Sequence, residues 1–83
     1  MLMKTVMVRI EQIYVPAQLR RTLDAEKVQK LAEQILAEGQ RTPIQVRRDG
    51  DRYVLVTGLH RLEALKALGE SEVDSLIVRA RMK

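Results

Sequence analysis

Four consecutive residues, Gly58-Leu59-His60-Arg61, have the types and the order needed to hold an anion. A β-rich run that passes through Gly into a helix leaves the first backbone N–H groups of that helix unpaired, beside the positive end of its dipole. Phosphate binds at such an end. Gly58 would let a phosphate approach the backbone, while His60 and Arg61 add side-chain donors, and a guanidinium can grip two phosphate oxygens at once. Cationic side chains in a first helical turn are otherwise unfavourable, so the pair calls for a bound anion or an acidic neighbour. The plainer alternative is a Gly that merely starts a helix, with His60 and Arg61 solvated or paired with Glu63 or Glu70.

Two further polar stretches carry donors: Arg20-Arg21, and Gln40-Arg41-Thr42. A small sheet could bring both to the rim that holds Gly58, because loops around a scaffold are where binding groups collect; simple solubility is the competing explanation. The candidate nucleotide- or phosphate-binding set is therefore Gly58, His60, Arg61, Arg20, Arg21, Gln40, Arg41 and Thr42. Chemistry on a phosphate would also need a base or a metal-holding carboxylate. Glu11, Glu63 and Asp74 are the acidic candidates, and spacing singles out none of them. With no Cys and one His, thiol catalysis, disulfides, thiolate zinc sites and iron–sulfur clusters are excluded and no metal site is expected.

The elements that must position these groups can be read from periodicity. Val6, Val8 and Ile10 alternate with Met7 and Arg9, which predicts a strand, and Ile13 and Val15 repeat the pattern. Pro16 breaks it, so Pro16 to Arg21 reads as a loop. Behind Asp24 as N-cap, Val28, Leu31, Ala32, Ile35 and Leu36 share one face of a helix that Gly39 ends. Ile44 to Arg47 and Arg52 to Thr57 flank Asp49-Gly50, a hairpin signal. The second run alternates less, as expected of a strand covered on both faces. A second helix follows from about Leu59 to Leu68, with Leu62, Leu65 and Leu68 inward and Gly69 as its stop, and Val73 to Arg79 supplies a last strand. The order is β-α-β-β-α-β.

The whole chain has 83 residues, 46% hydrophobic and 31% charged, which allows one small globular domain, residues 1–83, with a thin core. A net charge of +4 and a pI near 9.9 favour anionic partners. Lys4 and Arg9 interrupt the N-terminal run too early for a signal peptide, and no transmembrane segment is seen, so a cytoplasmic protein without a membrane partner is expected. Tyr14 and Tyr53 fall in strand patterns and do not form a base-stacking pair.

Leu19-Arg20-Arg21, Leu36-Ala37-Glu38-Gly39-Gln40, Pro43-Ile44-Gln45-Val46-Arg47, Asp51 to Gly58 and Arg61 to Gly69 follow one another with the spacing of a known family. From about Ile10 to Val78 the chain resembles the N-terminal domain of ParB-type partition proteins, in the ParB/sulfiredoxin superfamily. The resemblance implies an α+β, ParB/sulfiredoxin-like fold, a small mixed sheet with two main helices, in a prokaryotic protein. It also implies a nucleotide-phosphate site at a helix N-terminus, since the superfamily includes CTP-binding ParB proteins, ATP-using sulfiredoxins, a free serine kinase and nuclease-like proteins.

Carried over by position, Gly58 and Arg61 match residues lining that site in both ParB-like and sulfiredoxin-like proteins, and His60 matches the second kind. Arg20 and Arg21 match paired arginines of the ParB N-terminal box, near phosphates and the interdomain surface. Thr42 falls where ParB proteins vary. Leu59 stands where sulfiredoxins carry Cys, which rules out their sulfinic-acid reduction. Gly58-Leu59-His60-Arg61 stands where ParB proteins have Gly-Glu-Arg-Arg, so the acidic residue is missing and CTP and ATP both stay open. Glu11 lies in the region where the serine kinase relatives place a catalytic acid.

The first expectation is thus a stand-alone module binding a nucleoside triphosphate, CTP or ATP, with Mg2+. Its role would be regulatory or accessory in DNA-related processes, without a helix-turn-helix of its own, with DNA or a DNA-bound protein as partner and a homodimer as one assembly. The alternatives are a small ATP-dependent phosphotransferase or nucleotide hydrolase, and a non-specific DNA-binding protein using Arg20, Arg21, Arg41, Arg47, Arg48 and Arg61.

Overall fold

The computed structural model describes residues 4–40 and 42–79. Strand β1 (Val6–Arg9) runs into a single 3-10 turn (Ile10–Gln12) and a two-residue strand β2 (Ile13–Tyr14). A short helix α1 (Ala17–Arg20) follows, then α2 (Ala25–Glu38), β3 (Ile44–Asp49), β4 (Arg52–Thr57), α3 (Leu59–Ala67) and β5 (Glu72–Ile77). The strands form one mixed sheet in the order β1-β5-β3-β4-β2. β1–β5 and β3–β4 pair antiparallel, while β3–β5 and β2–β4 pair parallel. The expected α+β architecture with two main helices is what the chain adopts.

Pro16 to Arg21 is not the loop that Pro16 suggested. Proline disfavours helix before itself but is compatible with helix after it; the Pro16 carbonyl accepts the N–H groups of Leu19 and Arg20, and a helix of four residues is too short to show periodicity. The β3–β4 hairpin turns through Gly50-Asp51, with Gly50 at φ 61°, a conformation that suits Gly.

Ile44, Val46, Leu55 and Val73 from the sheet, Leu59, Leu62, Ala64 and Leu65 from α3 and Ile35 from α2 make up the core. α3 is the better buried helix. α2 lays Val28, Leu31, Ala32 and Ile35 against the core, but Leu36 is 77% exposed. It stands about 100° around the axis from Ile35, past the edge of the stripe that docks.

β4 departs from its expected pattern in an informative way. Val54 and Leu55 are both buried and, as neighbours on a strand, face opposite sides of the sheet. Val56 is exposed, however, because the register steps from Val46↔Leu55 to Gln45↔Thr57 and leaves Val56 as the extra residue of a β-bulge. Burial on both faces removes the alternation at Val54 and Leu55, as expected, and the bulge accounts for Val56 and re-aims the chain just before Gly58.

Candidate functional site

Gly58 is the N-cap of α3, at φ 109° and ψ 29°, with no side chain to cap the helix. The first intrahelical bond runs from the Leu62 N–H to the Gly58 carbonyl, at 2.9 Å. The N–H groups of Leu59, His60 and Arg61 therefore have no partner among the described residues, which is the arrangement the sequence suggested.

The reason for Gly at this position is sharper than phosphate access. A Cβ on Gly58 would sit 2.7 Å from Cγ2 and 2.9 Å from Cβ of Ile44, a residue with no solvent exposure. Both the positive φ and the contact with β3 exclude a side chain here, with or without a ligand.

His60 has a definite partner. Its Nε2 accepts the backbone N–H of Asp24 at 3.1 Å. Asp24 in turn caps α2, its carboxylate accepting the N–H groups of Glu26 (3.0 Å) and Lys27 (3.4 Å). The first turn of α3 is thus tied to the N-cap of α2, and two positive helix ends meet. An imidazole that accepts at Nε2 carries its hydrogen on Nδ1 and is neutral. His60 then adds no charge to the α3 terminus, and Arg61 is the cation in that turn. Asp24, whose N-capping role the sequence showed, also reaches this corner, a role with no signal in the linear spacing.

Arg61 lines a cavity of about 120 Å³ with Thr42, Gly39, Glu38, Gln34 and neighbouring α2 residues. That is the space of about four waters. The cavity also holds Glu38, so it is not uniformly cationic. Arg20 lies elsewhere, lining a cavity of about 280 Å³ with Tyr14, Glu63 and Lys66. Arg61 and Glu63 are two residues apart on α3, about 200° around its axis, so Arg61 and Arg20 flank the helix on nearly opposite sides. Arg21, the C-cap of α1, is exposed. Arg41 lies outside the described residues.

Gln40 is engaged by the fold. Its Nε2 donates to the carbonyls of Thr42 (3.2 Å) and Asp74 (3.1 Å), and its Oε1 accepts the Asp74 N–H at 3.2 Å. The side-chain amide prolongs the sheet where β3 has not yet begun, next to the first β3–β5 pair, Ile44↔Ser75. Both amide hydrogens are used.

The acidic candidates also stand apart. Glu63 pairs with Lys66 at 3.1 Å and Glu11 pairs with Arg9, each on the surface. Pairing of His60 or Arg61 with Glu63 or Glu70, the plainer alternative for this turn, is not found among the described residues. Tyr53 packs on the core, and Tyr14 lies under the Arg52 guanidinium, 4.4 Å from the ring centre. No described helix is long and apolar enough to cross a membrane.

The ParB N-terminal domain family model matches residues 3–83. The chromosome-partitioning protein ParB of Myxococcus xanthus is 42% identical over 60 residues, covering 72% of this chain and 20% of that protein; the chain spans about a fifth of the length of this curated relative. Sulfiredoxin from Arabidopsis thaliana superposes with a TM-score of 0.81 at 30% identity, over 92% of this chain and 85% of that one. The C-terminally truncated chromosome-partitioning protein ParB from Caulobacter crescentus, complexed with CTP-gamma-S, gives 0.79 at 28% identity, over 93% and 45%.

Proposed function

The chain belongs to the ParB N-terminal domain family, and from that premise we propose that it binds the phosphates of a nucleoside triphosphate at the N-terminus of α3. The observation that carries this reading is the uncapped end of α3, with three unpartnered N–H groups beside the Arg61 guanidinium. A similar ParB complexed with a CTP analogue supports it. The groups at the corner are hydrogen-bond donors, which suits phosphate oxygens and not a bare cation. Mg2+ would enter on the nucleotide.

In this reading the amides of Leu59, His60 and Arg61 hold one phosphate and Arg61 supplies the charge-assisted bond. His60 offers Nδ1–H, and its Nε2 fixes the helix against Asp24. Thr42 closes the Arg61 side, Arg20 and Arg21 reach extended parts of the ligand from the other flank, and Gln40 positions the Thr42 segment. The role is that of a nucleotide-responsive module in DNA-related processes such as partition.

Calorimetric titration with CTP, ATP and GTP, each with Mg2+, tests the reading. Binding of one of them, weakened about 10- to 150-fold by Arg61→Gln, is expected if one charge-assisted bond of about 1.5–3 kcal/mol is lost. Absence of heat with all three at millimolar concentration would sink it.

A further inference from the structure

At the far end of β3 from Gly58, the structure opens a second cationic site. Ile44, which packs under Gly58, begins the strand, and Arg47 and Arg48 lie about 10 to 13 Å along it. There Arg47, Arg48 and Arg79, with Ile77 and Val78, line a groove of about 470 Å³. Among the described residues no acidic side chain lines it. Asp49, the nearest acid in sequence, is held by Arg52, whose Nε and guanidinium NH2 group both reach Oδ2 at 3.0 Å. Among the described residues Arg47, Arg48 and Arg79 have no ion pair, and Arg48 rests 5.4 Å from the centre of the Tyr53 ring.

The groove exists because two parallel strands part. The Val46 carbonyl accepts the Val78 N–H at 2.8 Å, the last bond between β3 and the chain leaving β5. Alternation of the ladder turns the N–H and C=O of Arg48 to that same side, past Ile77, where β5 has ended. Arg48 thus offers a backbone donor as well as its guanidinium, over an aliphatic floor. Arg47 and Arg48 reach the groove from opposite faces of β3 and Arg79 from the chain beyond β5, so their like charges ring it with no carboxylate among the described lining residues, and a bound anion would offset their repulsion.

We propose that this groove binds the phosphodiester backbone of nucleic acid, independently of base sequence. A groove edged by three arginines, two from opposite faces of one strand and one from the neighbouring chain segment, fits neighbouring phosphates of a nucleic-acid backbone, and among the described residues no aromatic ring is free at the groove to read or stack a base. The site is separate from the α3 terminus and does not depend on the nucleotide reading.

The test is fluorescence anisotropy of a short mixed-sequence DNA duplex against salt. Three phosphate contacts contribute about −2.7 to the slope of log K against log salt, or about 40-fold in affinity between about 50 and 200 mM. The triple variant Arg47→Gln, Arg48→Gln, Arg79→Gln should lose that contribution, whereas Arg61→Gln should keep it. Should the triple variant fail to fold, as judged by far-UV circular dichroism, Arg79→Gln alone, at an exposed residue outside any strand, should lower the slope by about 0.9. An unchanged slope in the groove variants, or an equal loss in Arg61→Gln, overturns the proposal. So does a groove that takes only free phosphate, seen as inorganic phosphate binding lost in the triple variant while its DNA slope stays that of the parent chain.

Discussion

Replacing Gly58 by Ala separates the fold's demand on this residue from any demand made by a ligand. Two costs follow from the structure. A non-glycine residue held in the positive-φ region costs about 1–2 kcal/mol. The new methyl would meet Ile44 Cγ2 at 2.7 Å and Cβ at 2.9 Å in a fully buried position, and overpacking of this kind costs about 1–3 kcal/mol. The sum, about 2–5 kcal/mol, is a large part of the roughly 4–12 kcal/mol expected for a domain of this size. In such a domain each kcal/mol moves Tm by about 4–8 °C, so thermal unfolding followed by circular dichroism, without nucleotide, should show a fall of at least about 8 °C. Gly69→Ala is the control: Gly69 has φ 83° but nothing within 4 Å of an added Cβ, so it carries the backbone cost alone. Ile44→Ala has its own cavity cost, but because it removes the Cγ2 contact the two substitutions should couple, the double variant losing about 0.5–3 kcal/mol less than the sum of the singles. If Gly58→Ala melts within a few degrees of the parent chain and loses only nucleotide binding, Gly58 serves ligand approach and the packing argument is wrong.

Two other residues assigned to positioning give independent checks. Gln40→Ala should cost about 1–3 kcal/mol, because it strips the partners of the Asp74 backbone groups, and Gln40→Glu should recover part of this by accepting the Asp74 N–H while failing to donate to its carbonyl; urea midpoints at unchanged m decide it. His60→Ala should cost about 0.5–1.5 kcal/mol and raise hydrogen exchange at the Asp24 amide above all; an unprotected Asp24 amide in the parent chain would refute the contact.

The parts of this architecture that were legible beforehand share a physical cause. α2, α3 and the β3–β4 hairpin announce themselves because cap, periodicity and turn residues agree locally: Asp24 caps with its own carboxylate, Gly50 has the φ its turn requires, and of Leu62, Leu65 and Leu68 the first two are buried and the third packs half-buried on the core. What stayed hidden depends on contacts between elements. The order β1-β5-β3-β4-β2 sets β5 on the far side of β3 from its sequence neighbours, and only that placement gives Gln40 a strand to clamp and parts β3 from Val78 to open the arginine groove. The Val56 bulge is hidden for the same reason, since it exists only relative to β3.

The same distinction bears on how the candidate site divides. Position alone grouped Gly58, His60, Arg61 and Gln40 as ligand contacts, yet three of them have structural tasks that hold without any ligand: Gly58 fits over Ile44, His60 joins α3 to α2, and Gln40 completes the edge of β5. Arg61 has no such task among the described residues. A neutral His60 also leaves the meeting of two helix N-termini with less positive charge than the sequence implied, so the pull on an anion comes from the α3 amides and one guanidinium. Loss of nucleotide binding in Gly58 or His60 variants would therefore be ambiguous between a damaged fold and a lost contact. Arg61→Gln is the substitution whose effect on binding can be read directly, provided the variant melts within about 2 to 4 °C of the parent chain, the shift of a surface change of up to about 0.5 kcal/mol.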